Sequence, residues 1–390
     1  MAKGYMGKIM RVNLTTGEME EENLPSEGVL RSYLGCWGLG LRYLYNECPP
    51  GTAPQDPENP VIFLTGPLAA THMPGANNTT CVTLNFDTEI TAGRAHTHGF
   101  FGPNLKFAGY DGIIITGRAD KPVYLWLHDG KAEIREAGDI WGKDTHETED
   151  LVKERVGEPS ASVAAIGPAG ENVCAGALIE NDKNHSMSHS GVGAVMGSKK
   201  LKAIAVFGKN RDIPVSDGRR EVEVAKQWTA SLDYGPRSSV RVVGSEYKKH
   251  HRHEYEQSHV DRMGGVVAMN FKQWRLPGFV EDAINKVTSR SCFRCPIGCC
   301  YDLEIVSGPH KGYIATLAGG GEPIEAAGSI VGLMASGDVF YMVDLFDRLG
   351  LEASTAGCTI AMAFEAYEKG LITKEDTGGI ELKWGDAEAM

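Results

Sequence analysis

The 390-residue sequence predicts an α+β chain, with a β-rich first part and a mostly helical second. Three observations carry that prediction. Up to about residue 210, short β-branched runs separated by glycine keep sheet periodicity. Beyond it, apolar residues recur at helical spacing. The chain is also too long for one ordinary core, so more than one domain is expected.

In order, the sheet segments are residues 8–14, 61–64, 81–86, 112–116 and 202–207. The runs 123–127 and 131–135 flank His128-Asp129-Gly130, and Asp-Gly between two such runs predicts a tight hairpin. Texture changes near residue 212, where Ser216-Asp217 opens a polar helix whose apolar positions include Val222, Val224, Ala225 and Trp228. The clearest helix starts at Asp338. It carries Val339, Met342, Val343 and Phe346 on one face and stops at Gly350. Another spans 354–369 and closes at Gly370. The expected division is therefore 1–210, β-rich, and 211–390, mainly helical.

Composition narrows the function classes. Acidic residues outnumber Lys and Arg by 51 to 39, a net charge of −12, and no clustered basic face offers itself to nucleic acid. No stretch reaches the roughly 18 apolar residues of a membrane span, and the first residues do not read as a secretory signal. A cytoplasmic chain with small-molecule or protein partners is expected. The Asn-X-Thr matches at Asn13 and Asn77 are read as chance in that compartment.

Nine cysteines with four of them in 292–300 point to metal rather than to a disulfide framework. Cys292, Cys295 and Cys299 stand at C-x2-C-x3-C spacing, close enough to wrap one centre. An iron–sulfur cluster takes four thiolates, so a fourth must come from elsewhere. Zinc is the alternative, and would more typically show two separated pairs or histidines at finger spacing. Cys300 points away and reads as a buried thiol. Gly191-x-Gly193-x-x-x-Gly197 is a weak dinucleotide fingerprint that precedes a strand. The histidine-rich run 246–259, with His251, Glu256 and His259, is either a solvated charged face or a metal or proton-relay site.

Cys292-Phe-Arg-Cys295-Pro-Ile-Gly-Cys299 closely resembles the cluster motif of the aldehyde:ferredoxin oxidoreductase family, the tungsten-pterin enzymes. Further segments agree in order and spacing. They are Met10-Arg-Val-Asn-Leu-Thr-Thr-Gly17, Thr65-Gly-Pro-Leu68, Phe101-Gly-Pro-Asn-Leu-Lys-Phe-Ala-Gly-Tyr-Asp111, Ala165-Ile-Gly-Pro-Ala-Gly-Glu-Asn172 and Gly191-Val-Gly-Ala-Val-Met-Gly-Ser-Lys199. The resemblance covers essentially the whole chain.

The resemblance implies a tungsten or molybdenum held by two pyranopterins, a 4Fe–4S cluster on Cys292, Cys295 and Cys299, and Mg2+ bridging the pterin phosphates. The first domain would bind the tungstopterin, and the second would carry the cluster motif and one pterin-binding helix end. Asp347-Arg-Leu-Gly350-Leu351-Glu352 matches the family's pterin motif, giving Asp347, Leu351 and Glu352 as contacts. His96 and His98, and His185, Ser186, Ser188 and His189, fall in the two phosphate loops, and Asn78 stands where the family has an arginine. Glu325, with Glu322 as alternate, matches the active-site carboxylate.

The implied reaction oxidises an aldehyde to the acid, or the reverse, and passes electrons to ferredoxin or an iron–sulfur partner subunit. A thioester substrate and an oligomeric assembly are also in keeping with the family. The rival function is an iron–sulfur electron-transfer or scaffold subunit of a larger redox complex, and a zinc-stabilised binding module is a third. The fourth cluster cysteine is expected in a C-terminal domain beyond residue 390, because Lys383-Trp-Gly-Asp386 resembles a mid-protein segment and Cys358 reads as helix core.

Overall fold

The computed structural model describes residues 2–231, 284–296, 298, 300–317, 322–333 and 335–390. The chain divides into two compact units. One holds residues 1–232 with 292–296 and 348–351, and the other holds 233–291, 297–347 and 352–390.

The first unit carries two six-stranded sheets. β1 (Lys8–Asn13), β2 (Met19–Asn23), β3 (Val61–Thr65), β4 (Thr79–Leu84), β5 (Ala92–Thr97) and β6 (Gly112–Thr116) align in the order β2-β1-β6-β3-β4-β5. β7 (Val123–His128), β8 (Lys131–Glu136), β9 (Ser162–Ala165), β10 (Ile179–Asn181), β11 (His185–Met187) and β12 (Leu201–Phe207) align as β11-β10-β9-β12-β7-β8. Most neighbours are antiparallel; β1 with β6 and β7 with β12 are parallel. The connecting helices are α1 (Glu27–Tyr33), α2 (Cys36–Glu47), α3 (Phe101–Phe107), α4 (Thr145–Val156), α5 (Pro168–Glu171), α6 (Val192–Ser198) and α7 (Gly218–Ser231).

Strand periodicity decides which face each residue serves. Ile113 and Ile115 of β6 join Phe63, Leu125, Ile204 and Val206 in one core shared by both sheets. Ile114 points the other way, into a second core with Ile62 and Leu64 beneath Leu39, Tyr43 and Leu44 of α2. Tyr124, Trp126, Val163 and Ala205 face a third with Val152 of α4. Strands buried on both faces read as continuous apolar runs, and that is how they read in the sequence.

The predicted hairpin is the β7–β8 pair. Asp129 and Gly130 both take left-handed backbone, φ 43° and 77°, as its tight turn requires. The glycines at 191–197 open and line α6, which precedes β12. A Cβ on Gly193 would stand 2.3 Å from the Leu178 carbonyl oxygen, so glycine there serves backbone packing. Asp217 caps α7 by accepting the Arg220 N–H at 2.9 Å.

The second unit is not all helix. β13 (Ile284–Arg290), β14 (Cys300–Ile305) and β15 (Ile314–Leu317) form an antiparallel sheet. Its signal was available: Leu303 and Ile305 are fully buried and alternate with Asp302 and Glu304. The run is short, and it borders the cysteines. The helices are α8 (Glu322–Ala327), α9 (Ser336–Leu349) and α10 (Ala353–Glu368). Val339, Met342, Val343 and Phe346 are buried on one face of α9, and left-handed Gly350 ends it. Asp344 of α9 is fully buried and accepts the Thr316 N–H of β15 at 2.7 Å, which ties helix to sheet. Cys300 is buried as expected. Cys358 corrects the sequence reading: it lies in α10, but its side chain is exposed rather than in the core.

Candidate metal and cofactor site

Cys292 and Cys295 lie on one tight turn. The Cys295 N–H donates to the Cys292 carbonyl at 3.0 Å, and Arg294 between them is left-handed at φ 51°. Both thiols are half-buried, and neither is in a disulfide. The turn packs with the β-rich unit. Phe293 N–H donates to the Gly99 carbonyl at 3.2 Å, Asn77 Nδ2 donates to the Phe293 carbonyl at 2.9 Å, and Gly75 N–H donates to the Arg294 carbonyl at 3.0 Å. The Phe293 ring meets Phe107 edge-on at 5.8 Å. Cys299 lies outside the described residues, as do the run 246–259 and Gly319-Gly320-Gly321.

The two histidine-bearing loops meet beside that turn. The β4–β5 register sets His96 opposite Thr80, whose Oγ1 is 2.8 Å from His96 Nδ1. His98 Nδ1 is 3.1 Å from Asn77 Oδ1. His185 begins β11, opposite Asn181, and its Nε2 lies 3.0 Å from Cys292 Sγ. Asp182, in the β10–β11 turn, accepts the Phe100 N–H at 2.7 Å and the Ser162 hydroxyl at 2.6 Å. Asn181 Nδ2 donates to the His98 carbonyl at 3.1 Å. Farther along, the Arg94 N–H donates to Ser190 Oγ at 3.2 Å, and the Phe86 N–H donates to the Ser190 carbonyl at 3.0 Å.

Among the remaining predicted contacts of this unit, Ser186 pairs opposite Glu180, Ser188 is half-buried, and His189 is exposed with left-handed backbone, φ 79°. Asn78 is half-buried with its Oδ1 3.7 Å from Cys36 Sγ. Burial raises that thiol's pKa. His98 is exposed. Partial burial nevertheless holds the imidazole below its ordinary value, opposed by the Cys292 thiol and assisted by His185. Enclosure lowers His96 as well, with Arg94 acting in the same direction.

The helix-end motif is held by backbone. The Leu178 N–H donates to the Gly350 carbonyl at 2.9 Å, and Leu351 bridges Ala177. A Cβ on Gly167 would stand 2.4 Å from the Leu349 carbonyl oxygen, and one on Gly350, at φ 74°, would stand 2.8 Å from the Gly167 nitrogen. In the second unit, burial and the neighbouring Asp344 carboxylate push the Asp347 carboxyl well above the usual carboxylate range. Glu352 caps α10, accepting the Thr355 N–H at 2.8 Å. Glu322 is exposed and Glu325 half-buried, and both belong to α8.

The structure thus brings His98, His185, Cys292 and Cys295 into one neighbourhood. Asn77, Asn181 and Asp182 organise it, and sequence reasoning did not select them for that role. Asn77 is only 2% exposed. Among the described residues, no group of three or more His, Cys, Asp or Glu stands close enough to hold a metal ion by itself. The donor chemistry of Cys292 and Cys295, two half-buried thiols on one hydrogen-bonded turn, fits an iron–sulfur cluster. The loops present imidazoles and hydroxyls beside close-packed backbone, a donor set suited to phosphate. Two open surface cavities, about 280 and 460 Å3, include none of these side chains.

The profile for "Aldehyde ferredoxin oxidoreductase, N-terminal domain" matches residues 9–208, and that for "domains 2 & 3" matches 239–390. Tungsten-containing aldehyde ferredoxin oxidoreductases from Pyrococcus abyssi and Pyrococcus horikoshii are 36% and 35% identical over 99% of this chain. The chain spans 63% of the length of those relatives. A solved structure, the active site complex BamBC of benzoyl coenzyme A reductase with 1,5-dienoyl-CoA, superposes with a TM-score of 0.79 at 28% identity. It covers 96% of this chain and 58% of that one. Among the described residues, no helix is long and apolar enough to cross a membrane.

Proposed function

Because the chain belongs to the aldehyde ferredoxin oxidoreductase family, we propose that it is the cofactor-bearing part of a tungsten- or molybdenum-pterin oxidoreductase that interconverts an aldehyde and its acid. Electrons leave through a 4Fe–4S cluster to ferredoxin or a partner subunit. The observation that carries this reading is the docking of the Cys292–Cys295 turn against the histidine loops, within one compact unit.

In this proposal Cys292, Cys295 and Cys299 hold the cluster. His96, His98, Ser186, Ser188, His189 and Asn78 serve the pterin phosphates and their Mg2+. Asp347, Leu351 and Glu352 serve the pterin's polar edges. The raised Asp347 carboxyl keeps its proton to higher pH than a surface aspartate and can donate as well as accept. Glu325, or Glu322, moves the substrate's proton. When bound, the metal–pterin supplies the two-electron exchange with substrate, and the chain supplies position, hydrogen bonds and proton transfer.

The structural likeness to the benzoyl coenzyme A reductase complex favours a second reading, reduction of an aromatic thioester by the same site. The full-length gene product, purified without air, separates these readings. Tungsten or molybdenum with aldehyde-dependent dye reduction supports the first, and dienoyl-thioester oxidation without aldehyde turnover supports the second. Iron without either metal, and with neither turnover, would mark an electron-transfer subunit instead.

A further inference from the structure

We infer that His185 donates an N–H hydrogen bond to the cluster-bearing sulfur of Cys292 and thereby raises the reduction potential of the iron–sulfur centre. The inference rests on the cluster reading above. His185 Nε2 and Cys292 Sγ are 3.0 Å apart, inside hydrogen-bond range for sulfur, and His185 is only 8% exposed.

Both sides of this contact are held by strand pairing and hydrogen bonds. On the imidazole side, His185 pairs with Asn181 across the β10–β11 hairpin. The hairpin turn is held through Asp182 by the Ser162 hydroxyl and the Phe100 N–H. On the sulfur side, the residue after Cys292 donates its N–H to the Gly99 carbonyl, and its own carbonyl accepts from Asn77. Gly99 joins the two. Its φ is +81°, and a Cβ there would stand 3.2 Å from His185 Nδ1 and 2.4 Å from the Asp182 carboxylate. A side chain at 99 would displace the ring or the hairpin turn.

The consequence follows from charge. Adding one electron makes the cluster and its thiolates more negative. An N–H aimed at a ligand sulfur stabilises that reduced state more than the oxidised one. The electron enters without bond making or breaking at His185, so the residue tunes the couple and takes no chemical part in it. It also commits Nε2 to sulfur, which separates His185 from the phosphate role that its loop suggests.

The test uses full-length, anaerobically purified holoprotein. Midpoint potentials of wild type, His185→Leu and His185→Gln are read by redox titration with EPR detection, alongside iron and sulfide content. His185→Leu is expected to lower the reduced-to-oxidised ratio at fixed poise about tenfold, a shift of about 59 mV for a one-electron couple. His185→Gln keeps a donor and shifts less. Pulsed EPR of the reduced wild type is expected to show a coupled imidazole nitrogen and an exchangeable proton.

An unshifted midpoint in an iron-replete His185→Leu protein overturns the inference and leaves the cluster reading standing. If that variant loses iron, the wild-type pulsed spectrum decides: coupling supports the hydrogen bond, and its absence overturns it. Wild type without iron or sulfide overturns the cluster reading itself, and this inference with it.

Discussion

Two short pieces of later sequence pack with the β-rich unit, and they are held with a different balance of backbone and side-chain contacts. The 292–296 turn adds side-chain anchors to two backbone hydrogen bonds, from Phe293 to Gly99 and from Gly75 to Arg294: Asn77 holds the Phe293 carbonyl, His185 meets Cys292 and Phe107 packs against the Phe293 ring. The 348–351 helix end is anchored mainly by close backbone contact of Gly350 and Leu351 with Gly167, Ala177 and Leu178. Its side-chain tie is an ion pair of Arg348 with Asp144 at 3.3 Å. Side-chain anchors tolerate graded substitution. Backbone anchors admit almost none, because any Cβ meets main chain.

That contrast sets the order of the expected effects. Gly350→Ala combines left-handed backbone with a Cβ against the Gly167 nitrogen, and it is expected to cost about 3 kcal/mol, read as a fall in urea midpoint. Gly167→Ala, with ordinary backbone but a Cβ 2.4 Å from a carbonyl oxygen, is expected to cost about 2 kcal/mol by the same measurement. Equal stability to wild type in both would break the backbone-anchor account.

Asn77→Ala leaves the Phe293 carbonyl without its amide donor and is expected to cost about 1–3 kcal/mol, with lower iron content on purification. Joined to Gly350→Ala, its stability effect is expected to add within about 0.5 kcal/mol, since the two anchors share no partner. Strong coupling in that cycle would show one anchor rather than two. Glu352→Ala removes the side-chain cap of α10 and is expected to cost about 1 kcal/mol, measured by thermal unfolding.

Legibility followed the same line. The doubly buried strands were plain in the sequence because Ile113, Ile114 and Ile115 must all be apolar when both faces are covered. The α9 face and the β7–β8 turn were plain because periodicity and Asp-Gly are local signals. The cysteine spacing gave the candidate ligands. It could not give Asn77, Asp182 or the His185–Cys292 contact, whose partners lie as far as 216 residues apart in sequence. Nor could it show that Gly167 and Gly350 answer one another, since a glycine records that space was needed but not what fills it. The β13–β15 sheet is hard to read from sequence because its short alternation, as in β14, borders the cysteines.

The account turns on Cys292 and Cys295 holding iron, and the direct measurement is iron, sulfide and EPR on anaerobically purified full-length protein, wild type beside Cys292→Ser and Cys295→Ser. About four iron per chain with a reducible cluster signal in wild type, diminished in each variant while far-ultraviolet circular dichroism is retained, is the predicted result. Zinc in place of iron, or a cluster signal that neither substitution alters, would contradict it.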